Sequence, residues 1–321
     1  MMSSMLKRLV PAVLSLGCLA VMARAQQGEI QSIKVQGNVY LLTGGGGNVI
    51  VQIGDQGVLV VDTGLAQTAD KVLAAIRKLS DKPIQYILNT HFHPDHTGGN
   101  DTIRKAGQTF TGANVTGNIA DAALGAQVFA QDNVLMRMSA PTGQQAAMPF
   151  GDWPTETYIS GQKQMFFNGE PVIMIHQPAA HTDGDSLVMF RTSDVIVAGD
   201  IFVTTTYPFI DVNSGGSIQG EVDALNNLLD MMVVGHQDEG GTLIVPGHGR
   251  ICDKPELLEF RDMMTIIRDR VQASIKKGMT LEQVQAAGLT KDYDARYNAK
   301  SGFGTREMLI EAVYKSLSQK K

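Results

Sequence analysis

Seven side chains of metal-binding type fall in short loops of this sequence. The densest loop is NTHFHPDHTGGN, residues 89–100, which holds His91, His93, Asp95 and His96. His181 lies in PAAHTDGDS, Asp200 ends VIVAGD, and His248 lies in PGHG. Side chains two residues apart in an extended segment share a face, so one cation can take both His91 and His93. Pro94 then forces a turn that lets Asp95 and His96 face a second position. A catalytic zinc ion takes three protein ligands and keeps an open place for water. One such set is His91, His93 and His181; the other is Asp95, His96 and His248. Asp200 has two carboxylate oxygens, enough to bridge cations about 3.5–4 Å apart. H-x-H alone is a weak signal, but the full set at strand ends is a strong one. The expected chemistry is hydrolysis by a water made acidic by two metals, with Asp95 a ligand that also orients the nucleophile.

These loops need a rigid frame. Residues 30–62 are short Val-, Ile- and Leu-rich runs (IQSIKV, VYLLTG, NVIVQIG, GVLVVDTG). Gly37-Asn38 and Gly54-Asp55 mark hairpin turns between them, and the glycine run 44–47 is a loop or bulge. The period changes over 68–79, where Val72, Leu73, Ile76 and Leu79 share one helical face. IQYILNT is a buried strand leading into the histidine loop, and 98–106 is a short helix. Residues 112–153 form a flap or pocket wall, in which VFAQDNVLMRM is expected to be helical. The β pattern returns from Thr155, with a hairpin at Asn168-Gly169 and strands SLVMFR, DVIVAGD and TLIVPGHG. Helices are expected over 217–234, 256–277, 280–287 and 307–317, the third with Thr280 and Gln283 as a capping box. Meander, α/β, meander, α/β predicts two sheets face to face with helices outside, a four-layer αββα sandwich.

The composition limits the class. The chain has 321 residues, 43% hydrophobic, with a formal net charge of −5. That supports a substantial core and disfavours nucleic acid as a partner. Residues 1–25 resemble a secretory leader: Lys7 and Arg8, an apolar stretch, then the A-x-A pattern Ala23-Arg24-Ala25. The apolar run is short for a membrane span, and Cys18 lacks the usual leucine spacing of a lipidated cysteine. Removing the leader makes the remainder more acidic and leaves Cys252 as the only cysteine, so no intrachain disulfide can form. The expectation is a periplasmic or secreted protein, without stable membrane association once the leader is gone, in which 26–321 is one domain and 255–321 its helical extension.

His91-x-His93-x-Asp95-His96, followed in order by His181, Asp200 and His248, resembles the metallo-β-lactamase superfamily. VVDTG, with Asp62, also matches a family motif, whose aspartate supports the metal site from behind. The resemblance implies the αββα fold and a hydrolase with two Zn²⁺ per chain, iron or manganese being alternatives. An aspartate at position 200 is similar to glyoxalase II and lactonases, whereas lactamases that act on antibiotics have Cys or Ser there. Residues 256–321 show no basic glutathione-binding signature, and the acidic charge is unlike the nuclease branch. His93 stands where flavodiiron proteins have glutamate, which favours zinc.

The leading expectation is a small-molecule hydrolase for an ester, thioester, lactone or lactam. Its rivals are a β-lactamase proper, a mononuclear iron oxidoreductase similar to persulfide dioxygenases, and a non-catalytic periplasmic metal-binding protein. Tyr207, in TTTYPF just after Asp200, is a candidate hydrogen-bond donor to an oxyanion. Its competing role is to pack the pocket wall. Cys252, His176 and His236 are assigned to structure.

Overall fold

A computed structural model of the chain describes residues 29–108, 125–140, 148–235 and 240–318. The leader expected over 1–25, Cys18, His236 and much of 112–153 lie outside them.

The first sheet has seven strands in sequential order: β1 Gln31–Gln36, β2 Val39–Thr43, β3 Val49–Gly54, β4 Gly57–Val61, β5 Ile84–Leu88, β6 Gln127–Gln131 and β7 Glu156–Tyr158. β1 to β4 pair antiparallel, and β4 to β7 pair parallel. Helix α1, Ala69–Leu79, links β4 to β5; one-turn α2, Pro94–Thr97, and α3, Asn100–Lys105, follow β5, and α4, Asp132–Ser139, follows β6. The second sheet has five strands, ordered β12-β11-β10-β9-β8. These are β8 Gln162–Phe167, β9 Glu170–Gln177, β10 Asp185–Phe190, β11 Val195–Val203 and β12 Leu243–His248. Only β11 and β12 pair parallel. Helices α5 Ile218–Met231, α6 Lys254–Lys276, α7 Leu281–Ala286, α8 Asp294–Tyr297 and α9 Arg306–Ser318 complete the chain.

Strand alternation assigns the layers. On β3 and β4, Ile50, Leu59 and Val61 face the second sheet and meet Val172, Val188, Val197 and Val245. Their neighbours Val49, Val51, Val58 and Val60 face outward onto Val72 and Ile76 of α1 and Ile103 of α3. β11 behaves likewise: Val195 and Val197 point between the sheets, while Ile196 and Ala198 join Leu225, Phe260 and Met264 of α5 and α6. Both sheets are thus covered on two sides, which gives the expected αββα sandwich. Of the C-terminal helices, α7, α8 and α9 add Val284, Tyr297, Leu309 and Val313 to that outer core.

Local signals explain the ends of several elements. Asn168 and Gly169 both take positive φ, 51° and 84°, as a tight hairpin between β8 and β9 requires. Thr280 and Gln283 form the expected capping box on α7. VFAQDNVLMRM departs from expectation: Val128, Phe129 and Ala130 are a buried parallel strand, and the helix starts only at Asp132, capped by the Gln131 side chain. A short apolar run buried on both faces has no period that separates strand from helix.

Candidate metal centre

The site lies where chain segments leave the strands. β5 delivers the histidine loop, the β9–β10 connection carries His181, β11 carries Asp200, and β12 ends on His248. Asn48 ties the two sheets beside it, donating its backbone N–H to Gly247 O at 2.8 Å and its amide to Pro246 O at 2.8 Å. Pro94 opens the helical turn α2, with His93 as the preceding cap residue, and that turn brings the His96 ring back beside His91, 4.3 Å between centroids, while Asp95 reaches His248. Gly47 and Gly247 leave no room for a side chain: a Cβ on either would run into the His96 ring or the Asp200 carboxylate. The glycine run 44–47 therefore lets the backbone approach His96.

All seven candidate ligands converge. Donor atoms of His91, His93 and His181 lie within 4.8 Å of one another, as do those of Asp95, His96 and His248, and those of His91, His96 and Asp200. His93 Nδ1 is 2.9 Å from His181 Nε2. His248 Nε2 is 3.1 Å from Asp95 Oδ2 and 3.4 Å from His96 Nε2. Asp200 stands between the groups, with Oδ2 3.8 Å from His181 Nε2 and Oδ1 3.2 Å from His96 Nε2.

Hydrogen bonds from behind decide which imidazole nitrogen is left free. Asp62 follows β4 with φ 58°, a left-handed conformation that costs an aspartate on the order of 1 kcal/mol or more. Its carboxylate accepts from Thr90 N at 2.8 Å, Thr90 Oγ1 at 2.7 Å and His96 Nδ1 at 2.8 Å. Because Thr90 donates to Asp62, its oxygen can accept from His91 Nδ1, 3.0 Å away. His181 Nδ1 donates to Phe209 O, and His93 Nε2 donates to Asp211 Oδ2 at 3.3 Å. Lone pairs are thus left on Nε2 of His91, His96 and His181 and on Nδ1 of His93, all turned toward the cluster. The His181 loop has its own brace: Asp185 accepts from Thr182 N at 2.8 Å and Thr182 Oγ1 at 2.6 Å, and burial pushes its carboxyl up to about 8.

The two groups differ electrically. Burial, reinforced by neighbouring histidines, drives His91 well below its ordinary value and His181 down to about 4, so both are neutral imidazoles. Burial also works against charge on His96 and His248, but Asp200 with Asp62 raises the first, and Asp200 with Asp95 raises the second to about 9. Burial opposes ionisation of Asp95 too, yet the His248 hydrogen bond and the His96 charge hold it at about 2. This group therefore calls for positive charge at its centre. Among the described residues, buried His91 Nε2 and Asp200 Oδ1 have no hydrogen-bond partner, a costly state unless another electron acceptor occupies the space between them. Imidazole nitrogens and carboxylate oxygens suit zinc, iron or manganese. The residues present fit a pair of divalent cations.

A cavity of about 550 Å³ opens onto this cluster. Its floor is His93, Asp95, Asp200 and His248; its walls include Leu65, Val203, Thr205, Thr206, Phe209 and Phe303. Among the described residues, no Lys or Arg lines it. Tyr207 also borders the cavity, but the expectation of an oxyanion donor is corrected. Its hydroxyl points away into the C-terminal helices, 2.9 Å from Asp294 Oδ1 and 3.1 Å from Thr290 O, and the residue is buried. Cys252 is buried outside the cluster, its Sγ 3.4 Å from Arg250 O. His176 Nε2 contacts Asp183 O at 2.8 Å. The sequence reading missed Asp211, Thr90 and Phe303. Thr90 adjoins the motif, whereas nothing local marks Asp211 or Phe303.

The sandwich and its histidine–aspartate cluster define a class. The profile of the metallo-beta-lactamase superfamily matches residues 34–248, and the chain belongs to that superfamily. Among curated relatives, the chain is 25% identical to a linear primary-alkylsulfatase from Pseudomonas sp., over 81% of this chain and 53% of that protein. It is 27% identical to the uncharacterized protein YobT of Bacillus subtilis, over 45% of this chain and 57% of the other. It thus spans just over half the length of the curated relatives it matches. Among solved structures, the stereoselective inverting sec-alkylsulfatase Pisa1 from Pseudomonas sp. superposes with a TM-score of 0.66 at 18% identity, covering 89% of this chain and 50% of that one. A metallo-beta-lactamase from Pontibacter korlensis gives 0.55 at 13% identity, covering 74% and 99%.

Proposed function

We propose that this protein is an exported dinuclear metallohydrolase that cleaves an ester bond in a small molecule, with a sulfate ester of an apolar alcohol as the leading substrate. The observation that supports it most is the convergence of seven candidate ligands at a partly apolar cavity: two triads, joined by a third set of His91, His96 and Asp200. His91, His93 and His181 would hold one cation, and Asp95, His96 and His248 the other, with Asp200 between them. When bound, two divalent cations supply electrophilic charge and lower the pKa of water toward about 7. The protein's own groups do the rest. Asp62, Asp211 and the Phe209 carbonyl fix the imidazoles before substrate arrives. Asp95 Oδ2 lies at the cavity floor, placed to orient the attacking water and take up its proton. With no Lys or Arg on the cavity wall among the described residues, the charge of an anionic substrate would be met by the cations. The relationship to an alkylsulfatase makes sulfate esters the first candidates, ahead of carboxylic esters, thioesters, lactones and lactams. Export rests on the leader-like residues 1–25.

The test is metal analysis and turnover on zinc-loaded protein lacking the leader. The expected result is about two zinc ions per chain, as a two-metal site requires, and release of sulfate from an alkyl or aryl sulfate. Turnover of only a lactam would move the assignment to a β-lactamase. One iron per chain with oxygen uptake would replace hydrolysis by oxidation, and no turnover of any ester by loaded protein would favour a binding role.

A further inference from the structure

We infer that Phe303 is a specificity-determining residue: it receives the uncharged, apolar arm of the substrate, remote from the bond that is cleaved. This inference rests on the hydrolase reading for the identity of that bond, but the arm subsite itself is a matter of binding.

Phe303 is 73% exposed, which by itself is unremarkable, since single exposed apolar residues are common. Its setting is what distinguishes it. Phe150 and Phe166 are comparably exposed, yet neither borders the cavity above the metal cluster, whereas Phe303 forms part of its wall. Its ring meets Phe209 edge to face at 5.4 Å between centroids. Phe209 in turn lies 6.1 Å from the His93 ring and 6.0 Å from the His181 ring. An apolar surface therefore runs from the candidate ligands to the cavity rim, and Phe303 is its outer end.

The loop that presents Phe303 is held in place. It joins α8 to α9 and closes on itself through Ala299 N to Gly304 O at 3.2 Å and Arg306 N to Asn298 Oδ1 at 2.9 Å. Tyr207 N donates to Tyr297 O at 2.7 Å, which docks the loop onto the segment after β11. Gly304, with φ 81°, packs so tightly on Thr206 that a Cβ there would clash. An aromatic ring exposed at the end of an anchored loop is pre-positioned for a partner, and a ligand that covers it removes its apolar surface from water. An uncharged partner fits this point, because among the described residues the cavity wall offers no Lys or Arg to pair an anion, and the carboxylates that line it, Asp95 and Asp200, belong to the metal cluster.

The test compares two sulfonates, which bear an anionic head on an unhydrolysable C–S bond, by calorimetric titration of the zinc-loaded protein. Hexane-1-sulfonate should bind more tightly than methanesulfonate. Phe303→Ala should weaken hexanesulfonate about tenfold, the scale expected from losing an aromatic contact of this size, and leave methanesulfonate within about twofold. Phe303→Leu should restore most of the preference. An unchanged hexane-to-methane ratio in Phe303→Ala, equal weakening of both ligands, or no binding of hexanesulfonate by the wild type would overturn the inference. A preserved ratio in protein that turns over no ester would defeat the hydrolase reading and leave the arm subsite standing. Turnover with an unaltered ratio would do the reverse.

Discussion

The two halves of the cluster are built from the same loop yet solve different problems. His91, His93 and His181 form an all-imidazole group, in which burial keeps His91 and His181 neutral, and each free nitrogen is aimed by a separate partner: Thr90, Asp211 and the Phe209 carbonyl. Asp95, His96 and His248 form a mixed group, in which carboxylates raise the histidines and the histidines lower Asp95. The first group is organised for a cation before one arrives. The second mixes carboxylates with imidazoles, and its acidic neighbours favour positive charge at His96 and His248. Asp62 crosses the division, touching His96 directly and His91 through Thr90. Asp200 crosses it on the cavity side. The difference teaches that the halves are separable in ligand chemistry but share two aspartates.

Removing a shared aspartate should therefore cost most. Asp200→Ala is expected to lose one of two bound metals and more than about a hundredfold in kcat/KM, beyond the usual cost of an outer hydrogen-bonding partner. Two metals and full activity in that variant would end the bridging assignment. Asp62→Asn comes next. It should weaken metal binding by about 10–100-fold, and at both sites, because one carboxylate supports a histidine of each group. Asp211→Asn, which among the candidate ligands touches only His93, should fall near tenfold and affect one site. A chelator titration separates these cases: parallel weakening of both metals is expected for Asp62→Asn, and one weakened and one unaltered metal for Asp211→Asn. Identical curves for the two variants would mean that the halves are not separable.

How much of this was legible in the sequence follows from where each signal resides. His91 to His96, His181, Asp200 and His248 stood out because each ends an apolar strand run or sits among Gly and Pro, and strand ends in α/β folds are where site loops collect. The sandwich was legible from the order of elements: short apolar runs joined at turns such as Gly37-Asn38 and Gly54-Asp55, then a helical period, then the same sequence again. β6 was not, since Val128 to Ala130 are buried throughout and lack a period. Asp211 and Phe303 were hidden for a further reason. One reaches His93 across 118 positions of sequence and the other meets Phe209 from the C-terminal helices, so only tertiary packing gives either a role.

Tyr207 gives the smallest expected effect and marks the outer limit of the comparison. Its residue type and position suited an oxyanion donor, but the direction of its hydroxyl is set by α7, α8 and their connection, which supply Thr290 and Asp294 as acceptors. Burial, with Asp294 adding its charge, pushes the phenol above its ordinary value, so it stays a neutral donor at any working pH. Tyr207→Phe removes one buried hydrogen bond and no packing volume of note. Arg306 still pairs with Asp294 at 3.3 Å, so the carboxylate is not stranded. The expected loss is about 1 kcal/mol of unfolding free energy, with kcat within about twofold of wild type, the pattern of a structural hydrogen bond. A transition-state donor would show the opposite: a fall in kcat of about a hundredfold or more with stability intact. Measuring kcat and the denaturation midpoint on the same preparation therefore decides whether the C-terminal helices shape only the wall of the cavity or also its chemistry.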